Sequence, residues 1–364
     1  MNRKIIAAGH ICLDITPVFP ESLAVNAPED ILIPGKLINT QSADVHTGGS
    51  VANTGLALKM LGNDAILLGK VGDDAFGALV KQILASYGAG GLLTDPDSST
   101  SYSVVLALPG IDRIFLHSPG ANDSFCGSDI PDSALNDAAL FHFGYPPLMK
   151  KIYEDDGAEL TEIFKRVKAK GIATSLDFAA IDPNSEAGTV DWEKLLQNVL
   201  PYTDFFVPSF EELCFMLDRE KYLSFGDDII GKLDILRDAK PLAEKCINLG
   251  CKAVLIKCGT AGLYFLAGEM NGVGEKLGLK VSEWKNAEII QPCFRAERVI
   301  SATGAGDTCI AAFLTALLRG IAPENCVALA AAEGACAVTS YDALSGLKSL
   351  EELEAKIAAG WAYN

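Results

Sequence analysis

The segment Ser301–Leu318, SATGAGDTCIAAFLTALL, joins a turn of small residues to an apolar run. Beyond Asp307 the larger apolar residues recur with the spacing of one helix face: Ile310, Phe313, Leu314, Leu317 and Leu318. Gly320 is placed to end this helix. The turn is therefore expected at a helix N-terminus, where unpaired N–H groups and the positive end of the dipole favour a phosphoryl group.

Asp307 has two interpretations at this position. In an isolated G-x-G-D pattern, a carboxylate in the first helical turn is most often a stabilising acid, and the glycines serve a tight turn. The alternative is a functional acid beside bound phosphate. The rest of the chain decides between them.

Strand and helix patterns alternate from residue 138 onward. Short apolar runs typical of buried strands occur at residues 138–144, 172–178, 204–209, 252–259 and 262–268, and several of the segments between them are amphipathic. An apolar strand also opens the chain and ends near Gly9, and a helix from the Gly48-Gly49 turn stops at Gly62. The alternation predicts an α/β fold with a mainly parallel sheet and helices on both faces.

Two β-rich excursions interrupt this pattern. Residues 15–46 contain proline and short extended runs, and residues 98–120 contain two extended runs around a Pro-Gly turn. We expect them to pair as a small β lid over one sheet edge of a single domain spanning residues 1–364. Exposed lid edges favour a homodimer formed through the lid.

Composition excludes several classes of function. The 364 residues carry a net charge of −17, which argues against a nucleic-acid or anionic-membrane partner. Ten scattered cysteines without a C-x-x-C pair, and no apolar stretch of membrane-spanning length, predict a cytoplasmic protein. The four histidines lack H-x-x-x-H spacing and are predicted to be structural or peripheral: His10, His46, His117 and His142.

Two segments together carry a family resemblance. The stretch TGAGDT, residues 303–308, and the stretch GGSVANTGLALKMLGNDAILLGKVGDDAFG, residues 48–77, resemble the two signature regions of the ribokinase-like, phosphofructokinase-B type, carbohydrate kinases. The resemblance covers essentially the whole chain. It implies the ribokinase-like fold and an ATP-dependent kinase that phosphorylates a hydroxyl of a sugar or sugar-like substrate, with Mg²⁺ as cofactor.

The resemblance also implies roles for individual residues. Asp307 corresponds to the catalytic base, and the anion hole corresponds to Gly304, Ala305 and Gly306. The substrate-binding positions correspond to Asp14, Gly48, Gly49 and Asn53. An ordinary loop acid at Asp14 and a simple strand–helix turn at Gly48-Gly49 are the alternative interpretations.

The nucleotide side is implied by weaker matches. Nucleotide-binding positions correspond to Ser209, Lys257, Gly259, Gly262 and Thr303, although a strand-to-strand turn would produce the same KCGTAG pattern. Glu212 corresponds to a residue that holds hydrated Mg²⁺, and a single carboxylate suffices for that ion. Ser301 stands where many members of the family have Asp, which leaves activation by K⁺ open. Asp177 lies in a poorly matching segment and is predicted to be scaffold.

The acceptor has more than one interpretation. Phe19 and Phe115 in the lid segments would suit a nucleoside base, whereas Arg113 and Asn122 would suit a polar sugar, so a nucleoside kinase of the same family is the alternative. The replacements at Ser209 and Ser301 also allow a catalytically silent, ligand-sensing homologue, against which Asp307 and Glu212 argue.

Overall fold

The computed structural model describes residues 3–23, 25–111, 113–226, 228–273 and 277–364. Fourteen strands lie in these ranges: β1 (Lys4–Gly9), β2 (Cys12–Pro17), β3 (Ala43–Gly48), β4 (Asp64–Leu68), β5 (Lys70–Gly72), β6 (Leu93–Asp95), β7 (Tyr102–Leu106), β8 (Ile114–Ser118), β9 (Ala138–Gly144), β10 (Ala173–Leu176), β11 (Phe205–Phe206), β12 (Ala253–Lys257), β13 (Leu263–Ala267) and β14 (Glu288–Gln291).

The α-helices in the same ranges are numbered in chain order: α1 (Ser50–Met60), α2 (Ala75–Ser86), α3 (Asp132–Leu135), α4 (Lys150–Ala169), α5 (Trp192–Val199), α6 (Phe210–Leu217), α7 (Arg219–Phe225), α8 (Ile229–Lys232), α9 (Lys240–Asn248), α10 (Val281–Trp284), α11 (Ala305–Leu318), α12 (Pro323–Ala337) and α13 (Leu350–Ala358). Helix α4 is interrupted at residues 154–157, and a π-helical turn, Ile235–Ala239, precedes α9. No helix in the described ranges is both long and apolar enough to cross a lipid bilayer.

The described strands form one large sheet in the order β14-β13-β12-β11-β10-β9-β1-β4. From β12 to β4 all neighbours are parallel, whereas β13 and β14 add an antiparallel edge. Along β1, Ile6 and Ala8 face one apolar layer and Ile5 and Ala7 face the other. Both faces are therefore covered, which confirms the predicted fold class.

The two β-rich excursions contribute to a second sheet in the order β3-β2-β7-β8. Strand β2 pairs with β7 in parallel, and β7 pairs with β8 in antiparallel orientation. The chain that follows α1 divides at Gly69 into β4, which joins the large sheet, and β5, which pairs with β6.

Helix α11 differs from the prediction of one buried face. Every residue from Asp307 to Leu318 is buried, because α1 and α12 pack on the helix from both sides while the sheet lies below it. The first turn of this helix is thereby fixed at the carboxyl edge of the sheet.

Candidate active site

The carboxyl ends of five neighbouring parallel strands deliver polar side chains to one cavity of about 1450 Å³. In sheet order, the residues following or ending β1, β9, β10, β11 and β12 are His10, Tyr145, Asp177, Ser209 and Lys257. Ligands of open α/β sheets bind at this edge, because loops after parallel strands converge there. The N-terminal turn of α11 also lines this cavity.

The turn before α11 requires glycine. Gly304 has a φ of 72°, and a Cβ atom there would lie 2.1 Å from the Cβ of Ala343. This N-cap residue provides no side-chain hydrogen bond to the helix. The Ala305 N–H donates to the carbonyl of Ala302 over 3.3 Å, so it is already engaged in the turn. Gly304, Ala305 and Gly306 all line the cavity.

Asp307 is held by three side-chain donors. Asn53 Nδ2 and the Tyr145 hydroxyl donate to Oδ2 at 3.1 and 2.8 Å, and the Thr54 hydroxyl donates to Oδ1 at 2.9 Å. The Asp307 side chain remains at the cavity wall although the residue is only 4% exposed. Burial and the neighbouring Asp307 charge raise the pKa of Tyr145 well above its usual value, so its phenol stays a donor.

On the side of the second sheet, the cavity is bordered by Asp14 of β2 and by the double glycine at the end of β3. A Cβ at Gly48 would lie 2.1 Å from Asp14 Oδ2, and a Cβ at Gly49 would lie 2.6 Å from His10 Nδ1. The glycines therefore let two polar side chains lie directly against the backbone. Burial raises the pKa of Asp14, while hydrogen bonds from Cys12 and Ser103 oppose that rise.

The opposite side of the cavity is built around one lysine. Lys257 Nζ contacts Asp177 Oδ1 at 2.6 Å, and a Cβ at Gly306 would lie 3.8 Å from the same nitrogen. Burial raises the pKa of Asp177 to about 8, with Glu212 and Asp307 adding to the rise and Lys257 opposing it. Burial disfavours the charged form of Lys257, yet the surrounding carboxylates raise its pKa overall. The lysine therefore stays positively charged.

Ser209 and Glu212 form a capping box at the start of α6. The Glu212 carboxylate accepts the Ser209 N–H at 2.8 Å, and the Ser209 hydroxyl accepts the Glu212 N–H at 3.2 Å. Gly262 has a φ of 106°, and a Cβ there would lie 2.1 Å from the Gln291 carbonyl oxygen. The KCGTAG loop is thus a glycine-dependent turn beside the cavity, with Gly259 and Gly262 at its wall.

Most of the predicted site residues lie together on the cavity wall. Gly48 and Thr303 are absent from the described lining. Gly48 lies against the Asp14 carboxylate, and Thr303 hydrogen-bonds the Ser301 hydroxyl. Thr54 and Tyr145 were not predicted from the sequence, and Asp177 was predicted to be scaffold. His10 and His117, which were predicted to be structural or peripheral, both line the cavity. The available signal was the position of these residues after or near strand ends.

The model of the pfkB family carbohydrate kinases matches residues 13–350. The chain belongs to this family. Fructokinase-1 of Oryza sativa subsp. japonica is 24% identical over 331 residues, which cover 89% of this chain and 84% of the rice protein. The family membership makes the protein a carbohydrate kinase and confirms the resemblance found in the sequence.

Solved structures show the same fold for this carbohydrate kinase. Arabidopsis thaliana ribokinase, complexed with ribose and ATP, superposes with a TM-score of 0.72 at 21% identity, covering 98% of both chains. A putative ribokinase II from E. coli, in complex with ATP and Mg²⁺, gives a TM-score of 0.68 at 21% identity and covers 98% of this chain and 99% of its own.

Proposed function

We propose that this carbohydrate kinase transfers the γ-phosphoryl group of ATP to a hydroxyl of a sugar or sugar-like acceptor, with Asp307 as general base. The observation that carries the proposal is the position of Asp307. Three side-chain donors fix its carboxylate at the cavity wall, directly beside a helix N-terminus that has no side-chain cap. A held carboxylate and an anion-binding turn are the two elements that phosphoryl transfer requires.

The proposed reaction places the acceptor between the lid and Asp307. The acceptor hydroxyl oxygen attacks the γ-phosphorus and its proton passes to Asp307, while the bond to the β–γ bridging oxygen breaks and ADP leaves. Asn53, Thr54 and Tyr145 keep the carboxylate oriented toward the hydroxyl, since all three donate to it. A general base of this kind contributes about 10²–10⁴-fold to the rate.

Two kinds of group, backbone N–H groups and a lysine, would stabilise the negative charge on the transferring phosphoryl group. The N–H groups of Gly304 and Gly306 are the first candidates for the anion hole, because the Ala305 N–H already serves the turn. Lys257 lies beside Gly306 and supplies positive charge at the same place. Preorganised donors of this kind are commonly the largest single contribution to catalysis.

Magnesium fits the site as an ion that arrives with ATP. The described residues contain no group of three or more His, Cys, Asp or Glu side chains arranged to hold a metal by themselves. Mg²⁺ is commonly bound by one or two carboxylates together with waters and substrate phosphates. Glu212, at the cavity wall beside Asp177 and Lys257, would hold its hydration shell, and the ion would neutralise phosphate charge.

A nucleoside is the second candidate acceptor. The observation in its favour is Phe115 on lid strand β8, whose ring lines the cavity and is 55% exposed. Stacking of a base on such a ring is worth about 1–3 kcal/mol per base. The sugar remains the leading candidate because polar side chains, rather than a pair of apolar walls, surround Asp307.

The test is a coupled ADP-release screen over sugars, polyols, sugar phosphates, sugar acids and nucleosides, with Mg²⁺ and with either K⁺ or Na⁺. We expect one sugar or sugar-like compound to stimulate ADP release. Asp307→Asn is expected to lower kcat by about 10³-fold or more without loss of ATP binding. Asp191→Asn is the matched control, since Asp191 caps α5 outside the cavity lining and asparagine retains the cap. Near-full turnover of Asp307→Asn would overturn the assignment.

A further inference from the structure

His10 is the most unusual polar side chain of the cavity. It follows β1, is only 1% exposed, and lines the cavity. Neither of its ring nitrogens has a hydrogen-bond partner among the described residues. Buried polar atoms are almost always paired, and leaving one unpaired costs about 1–3 kcal/mol. Because His10 lines the cavity, a bound ligand can provide a hydrogen-bond partner that the described residues do not.

The position of His10 relates it to the acceptor rather than to the nucleotide. Its ring lies against the backbone of Gly49, which has a φ of 85° and no space for a side chain. The ring centroid is 6.2 Å from that of Tyr145, whose hydroxyl donates to Asp307. On its other side His10 lies 5.3 Å from His117 of lid strand β8. His10 is thus one aromatic ring away from the proposed base, on the lid side.

His117 extends this wall with a fixed ring. Its Nδ1 lies 3.0 Å from the Ser103 hydroxyl, which orients the imidazole within the lid sheet. Burial lowers the pKa of His10 to about 3 and also lowers the pKa of His117, so both rings are neutral near pH 7. A neutral imidazole offers one donor and one acceptor, which is the pairing that a hydroxyl group can satisfy.

The charges around this wall are unsuited to an anionic acceptor. Asp14 and Asp123 line the same side of the cavity, and Asp123 is the charged group that acts on His117. Of the two lining lysines, Lys257 lies beside Asp177 and Gly306, where the transferring phosphoryl group is proposed, and Lys150 contacts Glu186 at 2.8 Å. A phosphate or carboxylate on the acceptor would therefore meet carboxylates and neutral rings.

We propose that His10, supported by His117, is a specificity-determining residue of the acceptor site and selects an uncharged polyhydroxylated acceptor over a phosphorylated or acidic one. The inference rests on the proposed kinase function. It assigns to His10 a hydrogen bond to an acceptor hydroxyl on the lid side of the group that is phosphorylated. Sites built to hydrogen-bond a substrate discriminate strongly, because a mismatched ligand leaves their buried polar groups unpaired.

The first experiment compares three classes of acceptor at equal concentration. Ribose, fructose and myo-inositol are the neutral probes, ribose 5-phosphate and fructose 6-phosphate are the phosphorylated probes, and gluconate and glucuronate are the acidic probes. We expect the best neutral probe to exceed every charged probe in kcat/KM by about tenfold or more. A charged probe that exceeds the neutral ones overturns this inference and leaves the kinase function intact. ADP release stimulated by no compound of the broader acceptor screen, in protein that binds ATP, overturns the proposed function itself.

The second experiment uses His10→Leu and His10→Gln with the best acceptor. Leucine removes both nitrogens and is expected to raise the acceptor KM about tenfold or more while the KM for ATP stays within about twofold. Glutamine retains a donor and an acceptor and is expected to recover part of the affinity. An unchanged acceptor KM in the folded His10→Leu protein overturns the inference.

His142→Gln is the matched control. His142 is also fully buried, its Nε2 is also unpartnered, and burial also lowers its pKa to about 3. Its Nδ1, however, lies 3.0 Å from Ser175, and the described cavity lining does not include it. We expect this variant to lose stability without a change in acceptor KM. An equal rise in acceptor KM for His142→Gln would show that the His10 effect is structural, and would overturn the inference.

Discussion

Two of the helices that begin at the cavity, α6 and α11, differ in how their N-terminal N–H groups are satisfied. Helix α6 starts with a complete capping box, in which Ser209 and Glu212 satisfy each other's backbone N–H groups. Helix α11 starts at Gly304, which has a left-handed backbone and no side-chain cap. The N-terminus of α6 is therefore capped by its own side chains, whereas the N-terminus of α11 lines the cavity without a side-chain cap.

The difference shows where stability and function separate. A side-chain cap contributes about 1 kcal/mol to a helix. Helix α11 lacks this contribution, but burial of its apolar side chains stabilises it instead. Ile310, Phe313 and Leu314 are 0% exposed. Burying one such side chain contributes about 1.5–3 kcal/mol, so a helix surrounded by α1, α12 and the sheet remains stable without a cap. The uncapped end is then available to an anion.

After Asp307→Asn, Gly304→Ala should produce the largest effect, because it alters the uncapped end itself. The added Cβ would meet the Cβ of Ala343 at 2.1 Å and would strain the left-handed backbone by about 1–2 kcal/mol. We expect kcat/KM to fall by about 10²-fold or more, together with a lower melting temperature. Steady-state kinetics and thermal unfolding measure the two effects.

Gly360→Ala is the control that separates the effect of backbone strain on stability from the effect of the α11 N-terminus on activity. Gly360 has a φ of 85°, but a Cβ there would meet no atom within 4 Å. This control is expected to lose about 1–2 kcal/mol of unfolding free energy while keeping full activity. Full activity in Gly304→Ala as well would contradict the role given to the α11 N-terminus.

Lys257→Met should produce the next largest effect. Removing the cation beside Gly306 is expected to lower kcat by about 10²-fold, since a charged donor to the phosphoryl group is lost. Addition of Asp177→Asn is expected to change stability little and to restore no activity, because burial and the loss of Lys257 together keep the Asp177 carboxyl protonated at neutral pH. Lys168→Met is the matched control, as Lys168 pairs with the buried Asp204 at 2.7 Å outside the cavity lining. Equal activity losses in the Lys257 and Lys168 variants would contradict the proposed role.

The same comparison shows what sequence reasoning can reach. The turn at Gly304–Asp307 was predictable because the residues that identify it are neighbours in the sequence. They are small residues, an acid and a following apolar run with helical spacing. The ion pair of Asp177 and Lys257 was not, since these residues are 80 positions apart and meet only through the register of β10, β11 and β12. Tyr145 likewise reaches Asp307 from the end of a distant strand.

Glu333, like Glu212, is a carboxylate that accepts a backbone N–H group, but it lies in the protein interior. It lies fully buried on α12 and accepts the Lys348 N–H at 3.2 and 3.3 Å. Burial raises its pKa to about 8, so between about pH 4.5 and 8 the native state holds a proton that the unfolded state releases. The free energy of unfolding then falls as pH rises, by at most about 1.4 kcal/mol per pH unit from this group.

Glu333→Gln tests this pH dependence. Glutamine keeps an acceptor for the Lys348 N–H and carries no charge, so the variant is expected to lose less stability between pH 6.5 and 8 than the parent protein. Urea unfolding at several pH values measures the slopes. His10 and His142 act in the opposite direction, since their lowered pKa values remove stability only as pH falls below about 6.5. Parallel slopes for the two proteins would contradict a neutral Glu333.

Ser209→Ala and Glu212→Gln should give the smallest effects, and they separate capping from metal binding at the closed end of α6. Alanine removes the cap and is expected to lower the unfolding free energy by about 1 kcal/mol, with activity retained. Glutamine keeps the capping geometry but loses the charge, so it is expected to raise the Mg²⁺ concentration required for half-maximal rate by about tenfold.

Helix α13 supplies the control for this last pair, because Ser349 and Glu352 build the same capping box at its start. Ser349→Ala should lower stability by a similar amount, whereas Glu352→Gln should leave the Mg²⁺ requirement unchanged. If Glu212→Gln also leaves that requirement unchanged, the Glu212 carboxylate serves the helix alone. The end of α6 would then be purely structural, and the contrast with the uncapped end of α11 would become sharper.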